Sequence, residues 1–191
     1  MKDIYSHIES HVDESIQQLF ELVRQPSISA QKVGFDKAPG LMKDLLERNG
    51  FEALIIPVPN DGLPTVCGYM AASGNPETAP TLLFYCHYDV QPVDPIDLWN
   101  TDPFEPTQIG DRLYGRGMSD DKGNIGARLA AIRAFIAERG GVPCNIKMFC
   151  EGEEESGSIN LPYLIAERGD DFKADACIWE GGGRNLNGDP F

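Results

Sequence analysis

Positive charge is in short supply in this chain. Lys and Arg total 16 against 30 Asp and Glu, giving a net charge of −14 at pH 7. That balance argues against nucleic acid or an anionic membrane as partner, since both need a basic surface. Long apolar runs are missing too, and nothing approaches the length of a bilayer-spanning helix. The opening MKDIYSHIESHVDESI is amphipathic and lacks the apolar core of a signal peptide. Cys67, Cys86, Cys144, Cys150 and Cys177 are odd in number and include no Cys-x-x-Cys spacing. Most lie in apolar, strand-like runs, where a thiol behaves as a small hydrophobe. A disulfide framework is not expected, and a reducing, cytoplasmic setting is. Histidine is scarce, with His7, His11 and His87 alone.

What is present suffices for one domain. The 191 residues are 41% hydrophobic and 24% charged, ordinary values for a globular chain with a real core. Ile4, Ile8, Val12, Ile16, Leu19, Phe20 and Val23 recur at helical spacing, and Gln25-Pro26 ends that helix. A second helix is read over 35–49, closed by Gly50 in a left-handed cap. The period then shortens. Segments 52–58, 65–71 and 81–86 read as strands, and apolar TLLFYC (81–86) suits a central strand covered on both faces. Residues 90–110 read as a long surface loop. Lys122 to Arg139 reads as a helix whose Arg128 and Arg133 flank the apolar stripe and keep their charges in water. A strand over 144–150, a helix over 160–168 and a strand over 175–179 follow. Strands alternating with helices predict an α/β domain, a three-layer α/β/α arrangement around a largely parallel mixed sheet.

Three polar clusters interrupt this pattern, two directly after a predicted strand and one opening a helix. Loops at the carboxyl ends of strands are where α/β sheets bind ligands. In Cys86-His87-Tyr88-Asp89, residues two apart point to one side. His87 can therefore ligate a metal while Asp89 takes its other N–H and fixes its orientation. A lone histidine at a strand end is more often structural; the paired Asp and the other clusters favour ligation. In Gly117-Met118-Ser119-Asp120-Asp121-Lys122, adjacent carboxylates repel unless a helix terminus or a cation offsets them. One such Asp has two oxygens and can bridge two ions. The run Glu151-Gly152-Glu153-Glu154-Glu155 follows a buried strand, a poor place for four carboxylates unless they face a divalent cation.

LLFYCHYDVQP (82–92), LYGRGMSDDKGN (113–124) and EGEEESGS (151–158), with WNTDPFEP (99–106) and RQPSIS (24–29), resemble one family. It is the co-catalytic metallopeptidases and deacylases: glutamate carboxypeptidase, carnosine-type dipeptidases, aminoacylase, and acetylornithine and succinyl-diaminopimelate deacylases. The resemblance implies a hydrolase of peptide or N-acyl amide bonds in small peptides or N-acyl amino acids. It implies His87, Asp120, Glu155 and Glu180 as metal ligands, with Asp120 bridging and a cis peptide between Asp120 and Asp121. Asp89 would orient His87 and Glu154 would be the general base, while Glu153 stands outside that pair as a bystander. Glu at 180 matches carboxypeptidase and deacylase types, whereas carnosine-type dipeptidases carry Asp there. Zinc, two ions per complete site, suits the imidazole and carboxylate donors, with manganese or cobalt as substitutes.

The resemblance also implies a shortfall. Family members are roughly twice as long, with a lid domain and a further histidine ligand toward the C-terminus. The expectation is therefore the N-terminal portion of a catalytic domain lacking its lid, with RNLNGDPF (184–191) just before the insertion. One metal position, served by His87, Asp120 and Glu180, would be nearly complete. The other, served by Asp120 and Glu155, would be crippled. A non-catalytic metal-binding fragment needing a complementary chain is the alternative, and exposed core surface would favour self-association.

Overall fold

The computed structural model describes residues 1–180; the segment 184–191 lies outside them. The predicted N-terminal helix is two helices, α1 (Lys2–Ser10) and α2 (Val12–Arg24), divided at His11. The apolar stripe runs through the break, so periodicity cannot reveal it. The polar side chains there can. Ser10 Oγ donates to the His7 carbonyl, Ser15 Oγ to that of His11, and such bonds compete with helical ones. Next comes α3 (Ala38–Arg48), which begins three residues later than its pattern suggested, with Pro39 in its first turn. Gly50 follows at φ +88°, in the expected left-handed conformation.

The main sheet comprises β1 (Glu52–Ile56), β2 (Thr65–Met70), β3 (Thr81–His87), β6 (Asn145–Glu151) and β7 (Ala176–Ile178) in the order β1-β2-β6-β3-β7. Strands β4 (Thr107–Ile109) and β5 (Arg112–Tyr114) form a separate hairpin that ends the predicted surface loop. In the main sheet, β1 with β2 and β2 with β6 pair antiparallel, while β3 with β6 and β3 with β7 pair parallel. The sheet is mixed, and its parallel part is confined to the three strands that carry the site. The centre of the order belongs to β6, which is buried almost throughout, whereas Thr81 to Tyr85 of β3 are half-buried.

Unequal covering explains that difference. One face packs against α2, α3 and α4 (Lys122–Arg139) through Leu22, Met42, Leu46, Ile125 and Leu129. The other is covered by α5 (Leu161–Arg168), whose Leu164 meets Ile56, Cys67 and Phe149. Two turns of helix leave Leu83 and Tyr85 only partly covered. The α/β/α layering is as the sequence predicts, with one thick outer layer and one thin.

The helix α4 sits as predicted, but Arg128 and Arg133 are half-buried and bonded to neighbouring elements. Arg133 donates to Gln18 Oε1 and Asn49 Oδ1, both at 2.8 Å, and to Ser15 Oγ at 2.7 Å, joining α2, α3 and α4. Arg128 donates to backbone carbonyls at the sheet's edge. At the start of α4, Lys122 is buried, and its Nζ donates to the carbonyls of Leu22 and Gln25 at the end of α2. Burial pulls its pKa down to about 7, against the charge of Asp89. No helix among the described residues is long and apolar enough to cross a membrane.

Candidate metal centre

Because β3, β6 and β7 run parallel, their carboxyl ends open on one edge of the sheet. His87 closes β3, in register with Glu151 on β6; Glu154 and Glu155 follow β6, and Glu180 follows β7. Asp120 and Asp121 precede α4 and are joined by the expected cis peptide. The fold thus gathers every residue the sequence singled out for the site.

His87 is fully buried at the middle of the cluster. Its Nδ1 lies 3.1 Å from the Asp89 carbonyl and 3.4 Å from Asp89 Oδ1. A proton on Nδ1 is satisfied there, and Nε2 faces outward. Around Nε2 stand Glu180 Oε2 at 2.8 Å, Asp120 Oδ1 at 2.9 Å and Glu154 Oε2 at 3.8 Å. One N–H cannot satisfy three carboxylates, whereas a cation shared among these donors would. Two donor sets have their atoms within 4.8 Å of one another: His87, Asp120 and Glu155, and His87, Asp121 and Glu180. One imidazole with several carboxylates is a donor set that fits zinc, manganese or cobalt.

Asp89 does more than orient His87. Its carboxylate accepts the backbone N–H of Glu155 at 2.9 Å and of Glu154 at 3.3 Å, holding the turn that presents both glutamates. Glu155 Oε2 in turn accepts from Gln91 Nε2 at 2.6 Å. Asp121 is buried and accepts the His87 backbone N–H at 3.1 Å and the Asn124 amide. The resemblance implies Asp120 as the ligand of the pair, and Asp121 also stands within reach of His87 and Glu180. Glu153 departs from the expectation. It is buried, not a bystander, and accepts from the backbone N–H of Leu63 at 2.9 Å and from Asn160. Nothing in its charge run marks it off from its neighbours.

The electrostatics follow from crowding. Burial pulls the His87 imidazole down, but the hydrogen bond and charge of Asp89, with the charges of Asp121 and Glu180, outweigh it and raise its pKa to about 10. Burial raises Glu154, opposed by His87 and reinforced by Glu180, Glu155 and Asp89. Burial likewise raises Glu155, against the Gln91 hydrogen bond. Beside Glu154 lies an apolar hollow formed by Leu83, Tyr85, Leu161 and Trp179.

The fold and these side chains define an α/β domain with an acidic, single-imidazole candidate metal site at the ends of its parallel strands. The chain belongs to peptidase family M20/M25/M40, whose model matches residues 83–189. It is 34% identical to human Beta-Ala-His dipeptidase over 183 residues, covering 90% of this chain and 36% of that one. It is 32% identical to succinyl-diaminopimelate desuccinylase of Delftia acidovorans, covering 83% of this chain and 41% of that one. Among solved structures it resembles the M20 family metallo-carboxypeptidase Sso-CP2 of Sulfolobus solfataricus, with 39% identity and a TM-score of 0.83 over 92% of this chain and 39% of that one. The chain therefore spans well under half the length of these relatives.

Proposed function

We propose that this chain is the metal-binding portion of a hydrolase that cleaves the peptide or N-acyl amide bond of a small substrate. The observation that carries the reading is His87 Nε2 with Glu180 and Asp120 within 2.9 Å and Glu154 within 3.8 Å. His87, Asp120, Glu155 and Glu180 would hold the cations, zinc by preference and two per complete site, with Asp120 bridging. Divalent ions bound there would supply a water of lowered pKa and polarise the scissile carbonyl. Glu154 would take that water's proton and return it to the leaving amine. Asp89 would keep the His87 tautomer fixed and the 154–155 turn in place. The raised pKa of Glu154 suits a group that must hold a proton briefly. The names of the dipeptidase and desuccinylase relatives support small peptides or N-acyl amino acids as substrates. The five free cysteines support a reducing, cytoplasmic setting.

Zinc stoichiometry of the chelator-stripped chain tests this reading. Tight zinc binding that is lost in His87→Ala is the expected result; absence of specific binding would remove the basis for the proposal. Any amidase activity should fall by about a hundredfold or more in Glu154→Gln, with zinc content unchanged.

A further inference from the structure

Glu180 stands beyond the reach of the sheet that carries it. Strand β7 pairs with β3 at Leu82–Ala176, Leu83–Cys177 and Phe84–Ile178, and there the ladder stops. All three β7 residues are exposed. Yet Glu180, two positions farther on, has its Oε2 at 2.8 Å from His87 Nε2. Each extended residue advances the chain by about 3.3 Å, so an unpaired stretch of this length can swing its side chain well clear of the site.

Arg128 occupies the place of the missing ladder rung. From α4, one guanidinium nitrogen donates to the Tyr85 carbonyl at 2.8 Å and lies 2.7 Å from Cys86 Sγ. The other donates to the Trp179 carbonyl at 2.9 Å. Tyr85 and Trp179 are the residues that follow the last paired positions of the two strands. The guanidinium sits over the Phe84 ring, 5.4 Å from its centroid, which limits its sideways movement. A planar fork with fixed donor spacing suits two carbonyls on neighbouring strands, and an ammonium does not supply that geometry.

We propose that Arg128 is the positioning residue for Glu180: its fork across the Tyr85 and Trp179 carbonyls extends the β3–β7 pairing and delivers Glu180 to His87. The inference rests on the metal-centre reading above, and it assigns Arg128 no contact with substrate or cation.

The test is zinc titration of the full chain, stripped with chelator, alongside Arg128→Met, Arg128→Lys, Glu180→Gln and the Arg128→Met/Glu180→Gln double variant. Loss of a group that orients a ligand weakens metal binding by roughly tenfold to a hundredfold. Arg128→Met should show a loss of that order, and Arg128→Lys should recover little of it, since charge without the fork cannot span both carbonyls. In the Glu180→Gln background, Arg128→Met should add almost nothing, because its effect passes through Glu180. Equal losses in both backgrounds would reveal a general packing role and overturn the proposal, as would full binding by Arg128→Lys.

A metal-free readout separates the two readings. The chain has two tryptophans, so Trp99→Phe leaves Trp179 as the sole emitter. Its quenching by acrylamide should rise in Arg128→Met, and in Arg128→Lys should the Met variant not fold. Unchanged quenching would reject the role of Arg128. Failure of the unaltered chain to bind zinc would instead count against the metal centre.

Discussion

Glu153 and Glu154 are neighbours in one acidic run with opposite surroundings. The Glu153 carboxylate is enclosed by the Leu63 N–H and the Asn160 amide, while Glu154 looks out beside His87. Removing a buried acceptor leaves its donors without partners, so Glu153→Ala should destabilise the chain by about 1–3 kcal/mol, read from urea unfolding midpoints. Cys67 gives a second prediction at this scale. Burial pushes its thiol from 9.0 up to about 12. The folded state keeps that proton to higher pH than the unfolded chain does. Its contribution to stability is therefore whole below about pH 9 and is lost as pH rises toward 12. Melting temperatures followed up this range should fall less steeply in Cys67→Ala. His87, Asp89 and Asp120 could be singled out in the sequence because three polar clusters recur at strand ends and a helix start and together match one family's motifs. Asp121, Gln91 and Glu153 could not, since their roles depend on which atoms lie opposite them after folding.

The elements follow the same division. The bounds of α4 could be read directly from its apolar stripe, and the structure keeps them at Lys122 and Arg139. The break at His11 was hidden by an unbroken stripe, and the half-covered state of β3 depends on the shortness of α5, which no local pattern in β3 reports. Parallel pairing was readable only for the three strands whose connections contain helices. How tightly the elements meet is clearest at Gly123 in the first turn of α4. A Cβ there would lie 2.0 Å from the Met118 carbonyl oxygen. Gly123→Ala must push the helix start away from the loop that carries Asp120. Overpacking of this kind costs about 1–3 kcal/mol. Thermal denaturation should show that loss, and zinc affinity should fall with it.

At the scale of the molecule, the described residues present an uneven surface. The edge strand β7 and the residue after it leave Ile178 46% and Trp179 65% exposed, next to the apolar hollow beside Glu154. An open apolar edge is a template for pairing with another chain. Sedimentation at increasing concentration should reveal self-association, and Ile178→Lys should shift the population toward monomer. The same strand has a consequence for synthesis at the ribosome. A chain made from its N-terminus can close the β3–β6 ladder as soon as Glu151 has emerged, but Glu180 follows only after the short strand β7. Until then the nascent chain carries an acidic pocket without Glu180, so the order of translation sets a time before which His87, Asp120 and Glu180 cannot meet.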